Sequence, residues 1–300
     1  MVLVVNPVSG RRRGEQIAEA AVPRLRSYGW TVEHAQGETL DEVRESTQSR
    51  LAGGADTVVV VGGDGAVHAV LDLLVEADAT LALLPAGTGN DLARALGLPY
   101  RDVEACLDLL SGADERRIDL IRAGDRWVAT VVASGFDSKV NERANAMTWP
   151  RGHLRYVLAV GAELRSFEPL TFSLDLSGPD GDRTVQAPAM LVAVGNGPSF
   201  GGGLRIAQGA ELDDGLLDVC LIRPVSRALL VRTFPRLMKG THVSMPQFER
   251  HRVRRLRLDA PGIVAYGDGE RIGPLPVEIA VAPAALSVIA PPPGRAVLPS

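Results

Sequence analysis

The chain has 300 residues, with 32 Lys and Arg against 36 Asp and Glu. A formal net charge of −4 is too balanced to indicate a general nucleic-acid binder, so we expect no nucleic-acid partner. The 46% hydrophobic content is that of a globular protein and excludes disorder over most of the length. At roughly 150 residues per domain, two hydrophobic cores are expected.

The cysteines and the apolar runs bear on the compartment. Cys106 and Cys220 lie far apart, and neither has a Cys or His at metal-ligand spacing, which favours a reduced, cytoplasmic setting. The first apolar run, Val2–Val5, is too short for a signal-peptide core, and no run approaches the roughly 20 apolar residues of a spanning helix. We expect a cytoplasmic protein that contacts membranes only peripherally.

The first part of the chain alternates apolar strand patterns with helical periods. The predicted strands are 2–5, 31–35, 57–61 and 81–84, and the predicted helices are 14–28, 40–52, 66–76, 91–96 and 103–111. Repeated β-α-β alternation predicts a doubly wound, mostly parallel α/β sheet, which we assign to residues 1–124.

The pattern changes after that. The predicted strands are 127–133, 170–176, 184–194, 216–222, 253–258 and 286–289, and only 154–164 and 227–238 keep a helical period. We predict a largely antiparallel β-sandwich domain over 125–290, with 291–300 as a tail that could pack back on the first domain.

One buried-type strand runs directly into glycines, at Gly62-Gly63-Asp64-Gly65. Glycine allows close backbone approach, and the exposed amides at a helix start attract phosphate. The motif has neither the Lys of a Walker A loop nor the last glycine of a dinucleotide fingerprint. On spacing alone, a tight structural turn is an equally good explanation.

Two further loops follow other predicted strands, namely Asn6-Pro7-Val8-Ser9-Gly10 and Pro85-Ala86-Gly87-Thr88-Gly89-Asn90-Asp91. Ligands of open parallel sheets bind beyond the carboxyl ends of the strands, where these loops should converge. Each loop alone could be an Asx turn or a helix cap. Together they favour a nucleotide site.

The three loops, taken in order, resemble the diacylglycerol kinase catalytic-domain family of lipid kinases. That family has an Asn-Pro-x-Ser-Gly loop, a Gly-Gly-Asp-Gly-Thr loop and a Gly-Thr-x-Asn-Asp-x-Ala loop. The resemblance implies ATP as the nucleotide. The residues that it assigns to ATP are Asn6, Pro7, Ser9, Gly10, Gly62, Gly63, Asp64, Gly65, Ala66, Val67, His68, Gly87, Thr88, Gly89 and Asn90.

This sequence departs from the family pattern at three positions. Ala66 replaces the usual Thr, His68 replaces the usual Asn or Glu, and Glu33 stands where a nucleotide-contacting Thr is often found. These departures keep two alternatives open. One is a catalytically impaired, nucleotide-binding regulatory protein, and the other is an enzyme like the NAD kinases, which share the Gly-Gly-Asp-Gly element.

An acidic segment, Glu211-Leu212-Asp213-Asp214-Gly215-Leu216, is by default a solvated turn between two strands. The resemblance implies a structural Mg²⁺ here, held by the Asp214 carboxylate and the backbone carbonyls of Glu211 and Leu216. Hard oxygen ligands suit magnesium. The resemblance also implies that Asp64 is linked to this metal through water.

A second acidic segment is Asp268-Gly269-Glu270, and an Asp-Gly pair between strands is first of all a hairpin turn. The resemblance places the catalytic base here, and the residues leave open whether it is Asp268 or Glu270. It implies an ATP-dependent lipid kinase that transfers the γ-phosphate to a lipid hydroxyl, with diacylglycerol as acceptor and phosphatidic acid as product.

The expected partner is a lipid at a membrane surface. Arg252, Arg254, Arg255 and Arg257 interleave with apolar residues in one predicted strand. They could face lipid headgroups, or they could protect an exposed sheet edge. A homodimer is also left open.

Overall fold

The computed structural model describes residues 1–5, 11–112, 114–149 and 153–292. The helices are α1 (Arg11–Ser27), α2 (Leu40–Ala52), α3 (Asp64–His68), α4 (Leu71–Glu76), α5 (Asp91–Ala95), α6 (Val103–Leu109), α7 (Phe136–Ala146), α8 (His153–Ser166) and α9 (Arg227–Lys239), followed by a 3-10 helix at Thr241–Ser244. The strands are β1 (Val2–Val5), β2 (Glu33–His34), β3 (Thr57–Gly62), β4 (Thr80–Pro85), β5 (Glu115–Ala123), β6 (Arg126–Val128), β7 (Val131–Gly135), β8 (Leu170–Gly178), β9 (Gly181–Ala189), β10 (Leu191–Gly195), β11 (Leu217–Ile222), β12 (Phe248–Val253), β13 (Arg255–Asp259), β14 (Val264–Gly267), β15 (Glu270–Pro274) and β16 (Val277–Ile289).

The first domain is the predicted doubly wound α/β unit. Its strands lie in the order β2-β1-β3-β4 and all pair in parallel. Every residue of β3 and β4 is buried, as expected for strands covered by helices on both faces. The carboxyl ends of β3 and β4 therefore meet at one edge of the sheet and deliver their loops to the same place.

The second domain is the predicted antiparallel sandwich. One layer is the six-stranded sheet β12-β11-β10-β7-β14-β15, in which all pairs are antiparallel. The other layer is formed by β13, β8 and β9 with part of β16. The fully buried Phe172 of β8 lies in the core between these layers.

The strand β16 belongs to both domains. Its first half pairs with β13 in an antiparallel manner, and its last residues, Ser287 and Val288, pair in parallel with Thr80 and Leu81 of β4. One continuous sheet thus joins the two units. The predicted strand 286–289 was assigned to the second domain, but it completes the sheet of the first, and most of the predicted tail lies outside the described residues.

Several predicted elements are interrupted. The run 66–76 forms α3 and α4, because Val70 leaves helical geometry at φ −120° and ψ 0°. The strands predicted at 127–133, 184–194 and 253–258 each divide into two, near Ala129, Met190 and Arg254. Apolar periodicity continues across such breaks, because the bends reorient the backbone without changing residue type.

Several elements are absent from the predicted lists, α7 and β5 among them. The helix α7 buries only Ser138, Val140 and Ala144, so its apolar period is too sparse to be recognised. The strand β5 begins with charged residues and pairs with β16, more than 150 residues further along the chain. Among the described residues, no helix is both long and apolar enough to cross a membrane.

Candidate active site

The loops after β3 and β4 lie in direct backbone contact. A Cβ atom built on Gly63 would lie 2.9 Å from the Cα of Gly87, and one built on Gly87 would lie 2.5 Å from the Cα of Gly63. Real Cβ atoms do not approach other atoms so closely, so both positions require glycine. The predicted convergence of these two loops is thus present, and it depends on their glycines.

Asn90 holds the loop after β4 in shape. It has a left-handed backbone conformation, with φ 56°, which Asn tolerates better than most residues. Its Oδ1 accepts from the Gly87 amide at 3.1 Å, and its Nδ2 donates to the Gly87 carbonyl at 2.9 Å. The side chain is buried and fully engaged in this turn.

Asp64, the first residue of α3, binds the start of α5. Its two carboxylate oxygens accept from the amides of Asp91 and Leu92, each at 3.1 Å. Burial raises the pKa of the Asp64 carboxyl; these two amides oppose the shift, and the carboxylates of Asp91 and Asp268 add to it. Since Asp64 occupies the first amides of α5, those amides are not free to bind a phosphate.

Asp91 joins the two domains, although the sequence analysis gave it no role. It is buried, and it accepts from the Ser199 hydroxyl at 2.8 Å and from the Gly202 amide at 2.7 Å, both in the β10–β11 connection. Arg94, one turn further along α5, compensates its charge at 3.2 Å. Its place in the Gly-Thr-x-Asn-Asp motif could have marked Asp91 as a site residue. Its bridging role could not be predicted, because its partners lie more than 100 residues away in sequence.

Asp268 forms the turn between β14 and β15, at φ 51°. Its Oδ2 accepts from the Ala129 amide at 2.7 Å. Its Oδ1 accepts from the amides of Thr130 and Val131 at 3.0 and 3.3 Å and from the Thr130 hydroxyl at 2.5 Å. Both oxygens are therefore used to hold the β6–β7 connection. A Cβ atom built on Gly197 would lie 3.5 Å from Thr130 in that connection and 3.5 Å from Ala95 of α5, so the connection lies near the helix that Asp64 binds.

Glu270 has a different environment. It is the exposed first residue of β15, opposite Gly267 across the hairpin, and its carboxylate has no hydrogen bond or ion pair within the described part of the chain. The left-handed turn at Asp268 interrupts the strand alternation that would place both side chains together. Of the two predicted catalytic carboxylates, Glu270 is the one whose oxygens remain available.

The segment 211–216 contains the residues that were predicted to hold a structural Mg²⁺ ion. One oxygen of Asp214 contacts the Arg252 guanidinium, and the other accepts from the Leu216 amide at 3.0 Å. Glu211 is exposed, and of the three predicted ligands only Asp214 contributes a side chain. A Mg²⁺ ion at Asp214 would have to displace the Arg252 guanidinium, so the predicted metal site is not pre-formed in this structure.

Comparison with known proteins places the chain in a family. A family model described as the diacylglycerol kinase catalytic domain matches residues 1–123, and one described as the YegS C-terminal NAD kinase beta sandwich-like domain matches residues 130–290. A protein of Mycobacterium tuberculosis (strain H37Rv) named diacylglycerol kinase is 41% identical over 293 residues, covering 96% of this chain and 94% of that protein. This chain belongs to the diacylglycerol kinase catalytic-domain family. By that membership it is a lipid kinase.

Other relatives agree with this assignment. A protein of Bacillus subtilis (strain 168) named diacylglycerol kinase is 25% identical and covers 92% of this chain and 91% of its own length. One of Stenotrophomonas maltophilia (strain K279a), named "Probable lipid kinase YegS-like", is 31% identical and covers 80% of each chain. A crystal structure of a diacylglycerol kinase from Bacillus anthracis strain Sterne matches with a TM-score of 0.71 at 18% identity, covering 97% of this chain and 96% of that one, which shows a shared fold.

The predicted nucleotide residues beyond those that shape the two glycine loops have different environments. Asn6, Pro7, Ser9 and Gly10 lie outside the described residues. Gly65 and Thr88 are exposed at the loop edge, whereas the side chains of Ala66 and Val67 point into the core. His68 borders a cavity of about 370 Å³, together with Arg44, Asp72 and Trp127. The exchange of Thr for Ala at position 66 therefore changes a buried side chain.

Proposed function

We propose that this lipid kinase transfers the γ-phosphate of MgATP to the free hydroxyl of diacylglycerol, giving phosphatidic acid and ADP. The M. tuberculosis relative, which is 41% identical and aligned over nearly the whole chain, is named diacylglycerol kinase and supports this acceptor. Magnesium enters here with ATP as part of the substrate. No resident metal is needed for the steps below.

The first domain would hold the nucleotide. The phosphates would lie against the glycine loops after β3 and β4, where the exposed Gly65 leaves the backbone uncovered by a side chain. Asp64 and Asn90 fix the shape of these loops through their own hydrogen bonds. Fixed amides compensate the negative charge of a transferring phosphoryl group without reorganising during the reaction.

The second domain would supply the base. The observation that carries the proposal is that Glu270 is an unengaged carboxylate beside a turn that is anchored by Asp268 to a connection near α5, the helix that Asp64 binds. The lipid hydroxyl oxygen would attack the γ-phosphorus while the bond to the β,γ-bridging oxygen breaks. Glu270 would receive the hydroxyl proton, and ADP would leave with its magnesium.

The acceptor's acyl chains require an apolar surface. The second domain has a cavity of about 230 Å³, lined mainly by Phe136, Phe167, Met190, Val225 and Leu230. Pockets with such linings accept apolar ligands. This cavity supports a lipid acceptor and has no preference of its own among lipids.

The test is phosphorylation with labelled ATP of a panel of diacylglycerol, ceramide, sphingosine and NAD in detergent micelles. We expect label in phosphatidic acid. Label in another lipid would refute diacylglycerol as the acceptor, and label in NAD would support the NAD kinase-like alternative. ATP binding with no labelled product would support the catalytically impaired protein.

A further inference from the structure

The helix α9 carries an unusual charge. It contains Arg227, Arg232, Arg236 and Lys239 and no acidic residue, although the chain as a whole has a net charge of −4. No Asp or Glu occurs between Asp218 and Glu249. A local positive field of this kind attracts anionic partners irrespective of the overall charge.

These four cations have no partner in the part of the chain that the structure describes. Each is exposed, and none has an ion pair or side-chain hydrogen bond among the described residues. The basic strand singled out in the sequence differs, because Arg252 contacts Asp214 and Arg257 pairs with Asp259 and Glu278. Arg254 and Arg255 of that strand are exposed as well, but α9 brings four such cations together within 13 residues.

The same segment exposes apolar side chains. Phe234 is 55% exposed, Met238 43% and Val243, in the following 3-10 helix, 44%. Only two other large apolar residues of the described chain, Trp149 and Leu158, are as open to solvent. Exposed apolar residues concentrated next to uncompensated cations indicate a binding surface.

The helix separates the two kinds of residue. Thr233 and Leu237 form the buried stripe. At 3.6 residues per turn, Phe234 and Met238 lie together on one side of that stripe, and Arg232, Arg236 and Lys239 lie on the other side and the outer face. A helix with one apolar and one basic side has the form of helices that lie in a membrane interface.

We propose that α9 and the 3-10 helix dock onto an anionic lipid bilayer. Phe234, Met238 and Val243 enter the boundary between headgroups and acyl chains, and Arg232, Arg236 and Lys239 contact lipid phosphates. The proposal goes beyond the kinase activity and does not depend on which lipid is the acceptor. The apolar cavity described above lies beside the first half of α9, at Leu230, so docking places it next to the bilayer.

The experiment measures co-sedimentation with vesicles of phosphatidylcholine alone or with 30% phosphatidylglycerol. We expect wild type to bind the anionic vesicles, and binding to weaken as salt rises, because exposed charges are screened beyond about 8 Å at physiological ionic strength. The triple variant Arg232→Gln, Arg236→Gln, Lys239→Gln should bind at least tenfold more weakly, because each basic residue near such a surface adds to its attraction for anionic lipid. The double variant Phe234→Ala, Met238→Ala should bind several-fold more weakly.

The control variants remove exposed cations or an exposed apolar residue outside α9. Arg254→Gln with Arg255→Gln removes exposed cations of the basic strand, and Leu158→Ala removes an exposed apolar residue of α8. Unchanged vesicle binding in both α9 variants would overturn the proposal, as would a loss confined to the controls. A dimer of wild type that the double variant disrupts, without an effect on vesicles, would assign the surface to a second copy of the chain.

A micelle assay keeps this inference separate from the proposed function. With short-chain diacylglycerol in detergent, the α9 variants should keep wild-type turnover, because no bilayer is involved. Absence of turnover in every protein would count against the acceptor proposal alone, and vesicle binding would still decide the docking surface.

Discussion

Two carboxylates hold the site together in the same way but at very different ranges along the chain. Asp64 accepts amides from residues 27 and 28 positions away, within one domain. Asp268 accepts amides from residues 137 to 139 positions away, at the start of the neighbouring strand β7. In both cases the oxygens are consumed in fixing a loop.

The comparison shows that an acidic residue within a family motif can have a structural role and need not be catalytic. A carboxylate that accepts several backbone amides has its lone pairs occupied and its position fixed. Glu270, two residues from Asp268, has neither constraint. The predictions that follow separate anchoring from chemistry, beginning with the largest expected effect.

Glu270→Gln tests the chemical side. The amide keeps the shape but cannot accept the proton, so we expect turnover to fall by roughly 10²-fold or more. The melting temperature and the dissociation constant for ATP should stay close to wild type, because the Glu270 carboxylate has no hydrogen bond or ion pair within the described residues. Glu168→Gln, at another exposed glutamate whose carboxylate has no ion pair among the described residues, is the matched control. Full turnover in Glu270→Gln would place the base elsewhere.

Asp268→Asn tests the anchoring side. Asn tolerates the left-handed backbone at this turn, so the substitution isolates the hydrogen bonds. The Asn side chain replaces one acceptor oxygen by an NH₂ group, which cannot accept from the backbone amides that Asp268 binds. Because these amides then lack an acceptor, we expect the free energy of unfolding to fall by about 2–3 kcal/mol. Urea unfolding measures this loss. A variant with wild-type stability but strongly reduced turnover would reverse the roles of Asp268 and Glu270.

Asp64→Asn tests how the Asp64 carboxyl in the first domain affects the pH dependence of the free energy of unfolding. Since burial raises the pKa of Asp64 above its ordinary 3.8, the folded protein binds this proton more tightly than the unfolded chain. The contribution of Asp64 to the free energy of unfolding should therefore decrease as pH rises from 3.8 through the raised pKa, by up to about 1.4 kcal/mol per pH unit. Asp64→Asn should flatten this dependence in urea unfolding between about pH 4 and 7. The exposed Asp114→Asn is the control, and an unchanged slope in Asp64→Asn would contradict the expectation.

Magnesium should have the smallest effect. Because Arg252 already compensates Asp214, we expect millimolar Mg²⁺ without nucleotide to shift the melting temperature of wild type by less than about 1 °C. Arg252→Gln should free Asp214 and make the melting temperature rise with Mg²⁺. Arg254→Gln, at an exposed neighbour, should behave as wild type. A rise of several degrees in wild type would support the structural metal predicted from the sequence.

Much of the first domain was predictable. The helix α2 has its predicted bounds, and β1, β3 and β4 lie where their apolar runs indicated. The loops after β3 and β4 were recognised because their glycines follow buried strands directly. Contacts within such a loop depend on residues a few positions apart, which is the range over which a sequence pattern carries information.

The second domain was predictable only as a class. Its strands alternate recognisably, but the breaks near Ala129 and Met190 have no local signature. The first of them is held by Asp268, and a hydrogen bond across more than 130 residues leaves no trace in the intervening pattern. The same reason hid the pairing of Asp214 with Arg252, which removes the free carboxylate that the predicted metal needed.

The sequence by itself determined the two fold classes, the order of the domains and the glycine loops, because these follow from apolar periodicity and from the backbone freedom of glycine. Only the tertiary structure decided that β16 completes the first sheet, that Asp91 bridges to Ser199 and that Glu270 is left unengaged. Each of these depends on which distant segments share a sheet or a loop. That choice is made by the packing of the whole chain, since the free energy of a contact depends on distance in space and not on separation in sequence.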